Sequence, residues 1–259
     1  MKIKETVHFQ WYRHLFTILI LLVCFVGSGR LTNASIGLVV SNANQVSAFL
    51  IRFIHPDLTY LPKLISPLLK TLQMSLLGTV IGALFAFPIN FLATTVVTNN
   101  LAITIVFRFL LGIIRTIPNL LLAALFVAIF GIGEATGVLT IAVFTFGMLT
   151  QLMFQAVETI DFTPLEAIEA VGGNKIQVVF WGILPQVLSQ FIGYVFYAFE
   201  VNVRASTILG YVGAGGIGVI LNSSLALMKY ERVSIIILTI LLTVVIVDQL
   251  SYKVRRSFQ

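Results

Sequence analysis

Charge is scarce in this chain of 259 residues: Asp, Glu, Lys and Arg together make up 10% of it, where a soluble domain carries about 25%. With 58% of the residues hydrophobic, that scarcity excludes an ordinary water-soluble domain and implies a polytopic membrane protein. Cysteine is nearly missing. Cys24 stands alone, so no intrachain disulfide and no cysteine cluster is expected. His8, His14 and His55 are too dispersed for a metal centre, and neither a metal nor a cofactor is expected. The net charge of +6 comes from scattered residues, with no basic run interleaved with aromatics. It therefore argues for topology and anionic lipid rather than for nucleic acid. No Walker A motif and no facing catalytic groups occur, so the chain is expected not to be an enzyme and not to energise itself with ATP. Lysines precede the first apolar stretch, but no small-residue cleavage site follows, so that stretch is expected to remain as a span.

What is present is long apolar runs. Six spans are expected: 15–26, 68–97, 102–130, 136–154, 185–203 and 233–250. The third is too long for one upright helix, since 29 residues at about 1.5 Å each overshoot the hydrocarbon core. Pro118 is expected to kink or break it. Asn99-Asn100 mark the turn before it. In the second span, Gly78 and Gly82 form a small-xxx-small face for close helix approach. Between the first two spans, Val46, Phe49, Leu50, Phe53 and Ile54 recur at helical spacing, the pattern of an amphipathic surface helix. The expected organisation is all-α: an N-terminal tail with the first span (1–27), an extracellular elbow (28–67), a transmembrane core (68–252) and a basic tail (253–259). Charge sets orientation only weakly. Lys2, Lys4, Arg13, Lys175, Lys253, Arg255 and Arg256 fall inside, against six basic residues outside, and the basic C-terminal cluster favours both termini in the cytoplasm.

The most polar stretch of the second half, 163–185, interrupts this pattern. Thr163, Pro164 and Glu166 read as a capping box opening a helix. Leu165, Ile168 and Val171 share one face, Gly172 ends the helix, and a short apolar segment runs on to Leu184-Pro185. A hairpin over 158–185, lying flat between the fourth and fifth spans, is expected. Two further clusters carry possible chemistry. Arg115 lies just before Pro118, with Asn119 just after it. Glu200, Asn202 and Arg204 lie near the end of the fifth span, where ionisable groups are costly and either line a path or pair with each other. Glu200 and Arg204, four apart, meet on one helix face. Gly213, Gly215, Gly216 and Gly218 match a dinucleotide fingerprint in spacing, but a membrane span precedes them, so close backbone packing or a gating turn is the better reading.

Glu166-Ala167-Ile168, Gly172 and Leu184-Pro185 resemble the EAA loop of permeases of the binding-protein-dependent class of ABC importers. Ile168 stands where a second alanine is usual, and Gly182 occupies the isoleucine slot of the closing motif. Arg115-Thr-Ile-Pro-Asn-Leu120, Glu200-Val-Asn-Val-Arg204 and Gly213-Ala-Gly-Gly-Ile-Gly218 resemble the branch for phosphonates and related oxyanions. The resemblance implies a dimeric, multi-pass inner-membrane permease working by alternating access. It also implies cytoplasmic ATPase subunits, an external solute-binding protein and a second permease copy or relative. Thr163, Leu165, Glu166, Ala167, Ile168, Val171, Gly172, Leu184 and Pro185 would couple to the ATPase. Arg115, Asn119, Glu200, Asn202 and Arg204 would line the substrate path. The competing expectation is a secondary transporter with Glu200 and Asp248 as ion-coupling groups, although no inverted repeat is visible.

Overall fold

A computed structural model describes residues 11–32, 37, 41–98 and 100–258. Lys2, Lys4, His8 and Asn99, used above, lie outside the described residues. The chain forms two units, 1–52 and 53–259, and no strand occurs among the described residues.

In the first unit, helix α1 spans Trp11–Leu31 and none of its residues is buried. Its 21 residues reach about 32 Å, enough to cross hydrocarbon. It extends the expected span at both ends, back to Trp11 and on through Gly27-Ser28-Gly29. Helix α2, Ala43–Ile54, is the amphipathic segment expected from its spacing.

The second unit opens with Asp57, whose carboxylate accepts from the Thr59 amide and lies 3.8 Å from Arg232. Helix α3 then runs from Leu61 to Leu92 with Pro67 and Pro88 inside it. Next come α4 (Leu101–Thr116), capped by Asn100, which accepts from the Ala102 amide, and α5 (Asn119–Phe130). These two meet at 86°. Pro118 therefore breaks the third span outright: it stands at the start of α5 with extended backbone, and Ile117 before it is extended as well, as a residue preceding proline prefers. Among the described residues, five helices are long and apolar enough to cross a membrane, six if this bent pair counts as one.

Helix α6 (Glu134–Val157) packs along α3. The contact depends on missing side chains. A Cβ on Gly78 would stand 2.6 Å from Ile141, and one on Gly82 would stand 2.7 Å from the Ala142 carbonyl oxygen. Helix α7 (Thr163–Ala170) is followed by a short turn, Lys175–Gln177, and a π-helical turn, Val178–Ile183, which runs straight into α8 (Leu184–Leu209). A glycine turn, a short helix α9 (Ile217–Ala226) and the long α10 (Tyr230–Phe258) complete the chain. Lys253, Arg255 and Arg256, expected in a tail, belong to the last turns of α10.

The seam of α3, α6 and α8 is polar. Thr71, Ser75 and Thr79 recur every fourth residue on α3, Thr145 faces them from α6 and Asn202 from α8; all are at most 2% exposed. The Asn202 amide donates to Thr79 at 2.8 Å and to Thr145 at 2.7 Å. In a membrane, where lipid gives helices no hydrophobic reason to associate, such bonds and the close glycine contact hold the bundle together.

Candidate functional site

The hairpin is built on short-range constraints. Gly172 carries φ +85, the left-handed conformation that terminates α7. The Gly173 amide then closes back on the Ile168 carbonyl at 2.9 Å. The expected capping box at Thr163 and Glu166 does not form. Asp161, two residues earlier, accepts from both the Thr163 amide at 3.0 Å and the Thr163 hydroxyl at 2.8 Å, so the threonine oxygen faces backward instead of into the first turn. The box stands one element later, where Asn174 accepts from the Gln177 amide and the Gln177 side chain accepts from the Asn174 amide.

The apolar face of α7 is also divided. Leu165 is 5% exposed and packs with Met153, Val157, Val178, Ile183 and Val187 of the chain itself. Ile168 is half-buried beside it. Gly182 admits both, since a Cβ there would meet Leu165 at 3.1 Å and Ile168 at 3.2 Å. Val171 is 86% exposed. Leu165 and Ile168 thus hold the hairpin together rather than offering a free apolar face. The outward surface consists of Thr163, Glu166, Ala167, Glu169 and Val171.

Gln186, in the first turn of α8, ties the hairpin to that helix. Its side-chain oxygen accepts from the Asp161 amide at 3.1 Å, and its nitrogen donates to the Asp161 and Gly182 carbonyls at 3.1 and 2.8 Å. The bonds from Thr163 hold the Asp161 carboxyl below the ordinary aspartate value of 3.8. A carboxylate depressed in the folded state stabilises it above the unfolded value, and the effect is lost as pH falls through the folded value. Asp161→Ala at neutral pH is expected to lower the exchange protection of the Thr163 and Leu165 amides. The native chain is expected to lose that protection, relative to intrinsic exchange at the same pH, only when acidified below about pH 3.8. Equal exchange in the variant and the native chain at neutral pH would refute it.

From Gln186, one face of α8 is polar. Gln186, Gln190, Tyr197, Glu200 and Arg204 succeed each other at helical spacing, and Gln186 and Arg204 lie about five turns apart at the same azimuth. The lower half of this face lines a cavity of about 700 Å³ with Gln186, Ser189, Gln190, Tyr194, Tyr197 and Arg255. Gln190 donates to the Tyr194 phenol oxygen at 2.6 Å, leaving that hydroxyl to donate elsewhere. Above the cavity, Glu200 accepts from Arg204 and faces Arg255 of α10 at 3.7 Å. Asp248, also on α10, lies close enough to Glu200 to act on its carboxyl.

The sequence-derived candidates therefore separate. Glu200 and Arg204 belong together. Asn202 is fully buried on the opposite side of α8, bonded to Thr79 and Thr145; it is a cross-link of the bundle and not part of the open face. Arg115 is exposed at the break after α4, its stem against Gly147, and among the described residues no carboxylate pairs with it. Asn119 opens α5 and is half-buried. Arg108 is structural: it pairs with Glu158, donates to the Ala93 carbonyl and lies over the Phe154 ring at 4.7 Å. Gly213, Gly215 and Gly216 have positive φ. A Cβ on Gly218 would stand 2.0 Å from the Thr207 carbonyl oxygen, so this stretch is a close backbone crossing. Arg255, read from the sequence only as an orientation signal, and the Gln186–Tyr197 face are the site features that the sequence reading missed. The four-residue recurrence of Gln186 and Gln190 inside an apolar span was the available signal.

A bundle of apolar helices with a cavity along a polar face of α8, and a hairpin clamped to that same helix, fits a membrane permease. Residues 78–258 match the family described as the binding-protein-dependent transport system inner membrane component, and the chain belongs to that family. It is a multi-pass permease subunit of the ABC importer class. It is 39% identical over 204 residues to the phosphite transport system permease protein PtxC of Stutzerimonas stutzeri, covering 79% of this chain and 74% of that one. It is 36% identical to the phosphate-import permease protein PhnE of Mycolicibacterium smegmatis, over 72% of this chain and 35% of that one. Its fold is that of a chain of the MetNI methionine ABC transporter solved in inward-facing conformations, with a TM-score of 0.70, 20% identity, and coverage of 78% of this chain and 99% of that one.

Proposed function

We propose that this permease moves phosphite, phosphonate or phosphate across the membrane by alternating access, driven by separate ATPase subunits that grip the hairpin. The reading also requires an external solute-binding protein, a second permease subunit, and both termini on the hairpin side, in the cytoplasm. The observation that carries it is the polar face of α8, where neutral hydrogen-bond donors lead from the hairpin end to Arg255 and Arg204. Guanidinium groups recognise tetrahedral oxyanions in two-point fashion. The likeness to permeases named for phosphite and phosphate transport supports the same cargo. Arg115, exposed and without a carboxylate at the helix break, adds positive potential to the path.

ATPase coupling is assigned to the outward surface of the hairpin, Thr163, Glu166, Ala167 and Val171. Leu165, Ile168, Gly172, Leu184 and Pro185 give it shape, and Gln186 passes its displacement to α8. Glu200 and Asp248 do come together, as an ion-coupled transporter would need, but Glu200 is paired with Arg204 and Arg255 and the family is that of ATP-driven importers. The test is uptake by the complete complex in proteoliposomes, offered phosphite, methylphosphonate, phosphate and sulfate in turn. ATP-dependent accumulation of at least one phosphorus oxyanion is expected. Accumulation of none of them, or of sulfate alone, would overturn the assignment.

A further inference from the structure

Glu200 is the only ionisable side chain buried among the described residues, at 8% exposure, and it sits on the same face of α8 as the residues that line the cavity. Burial of a carboxylate there is tolerated because it is shared. One oxygen accepts from Arg204, and the other faces Arg255 at 3.7 Å, beyond hydrogen-bonding distance. With Asp248 the cluster holds two acids and two bases. The two arginines are less enclosed than the acid: their side chains are 52% and 26% exposed against 10% for Glu200. Each guanidinium has five N–H donors, so both keep donors free for a second anion. Arg255 is also the one charged residue among those lining the cavity.

A permease must bind its cargo and then let it go. Two guanidinium groups in a low-dielectric path would hold a phosphorus oxyanion too firmly unless something competes for them. We propose that Glu200 is a resident counter-anion that competes with the transported oxyanion for Arg255 and Arg204, and so sets how easily the cargo leaves. Entering cargo takes the loosely held Arg255 first, and the Glu200 carboxylate reclaims the guanidinium as the cargo departs. No bond is made or broken; the arginines exchange one oxyanion for another.

This inference rests on the oxyanion reading, and its test separates the two. Binding of phosphite to the purified permease–ATPase complex in nanodiscs is measured without solute-binding protein, alongside uptake turnover in proteoliposomes. E200Q keeps the shape and removes the charge. It is expected to bind phosphite at least tenfold more tightly and to turn over several-fold more slowly, with E200D returning both values toward the native ones. Adding R255Q to E200Q is expected to abolish the gain in binding, which a simple change in packing would not do. Native complex that responds to phosphite, with E200Q binding equal or weaker, overturns the counter-anion role and leaves the cargo assignment standing. If E200Q fails to assemble, the comparison of E200D with R255Q decides. E200D, which draws the carboxylate back from both arginines, is then expected to bind more tightly than native and R255Q more weakly; any other order overturns the role. No response of the native complex to phosphite, phosphate or methylphosphonate overturns the cargo assignment and the inference with it.

Discussion

Gly82→Leu is expected to abolish uptake by removing the folded permease from the membrane. A Cβ at this position would stand 2.7 Å from both the Ala142 carbonyl oxygen and the Thr145 Cβ. Neither atom is the far end of a flexible side chain, so α3 and α6 must separate. Overpacking of a tight contact costs about 1–3 kcal/mol, and here the separation also pulls Thr145 and Thr79 away from the fully buried Asn202. A buried amide left without partners adds about 1–3 kcal/mol more. The sum approaches the whole stability of a typical domain at its lower end. Gly112→Ala is the matched control. Nothing lies within 4 Å of a Cβ there, and alanine favours helix by about 1 kcal/mol over glycine. Quantifying folded protein in purified membranes by size-exclusion after detergent extraction checks both; a normal yield of Gly82→Leu would show that the seam is not closely packed.

Glu166→Pro should leave the protein inserted and transport dead. The Glu166 amide donates to the Phe162 carbonyl at 3.0 Å. Proline removes that donor and drives its ring into the same carbonyl, at a cost of about 3 kcal/mol. A helix of eight residues has few other bonds to absorb the loss. Leu165 next to it is one of the residues that close the hairpin on Val178 and Ile183, so the surface offered to an ATPase loses its shape. The apolar spans are untouched. Membrane abundance is therefore expected near native, with ATP-driven uptake reduced at least a hundredfold. Gly172→Val is milder: the space around it is open, but φ +85 costs a β-branched residue about 1–2 kcal/mol. Native uptake by Glu166→Pro would remove the hairpin from the coupling role.

The same two regions show what a sequence discloses. Strong local punctuation was readable: Gly172 ends a helix because of its own backbone, and Pro118 breaks one because of its ring. Span number followed from hydropathy for the same reason, since each run is a local property. Three features were not readable. The Thr163–Glu166 spacing satisfied a capping pattern, but Asp161 lay near enough to capture the threonine. Leu165 and Ile168 marked an apolar face without disclosing that Gly182 of their own chain would cover it. Arg255 looked like a topology signal, because its meeting with Glu200 joins residues far apart in the chain. In each case a second, nearer or more distant group decided the outcome.

The wide turn at Val178–Ile183 has a consequence for how such a path is retuned. A π-helical turn holds one residue more than an α-helical turn would, and it sits directly between the hairpin and α8. If the same residues wound as an ordinary α-helix instead, everything downstream would be swivelled by about 100°. Arg204 and Tyr197 would then leave their present azimuth while every span kept its composition. This turn therefore works as an indexing joint: it sets which azimuth of α8 the cargo meets, independently of the side chains displayed on it.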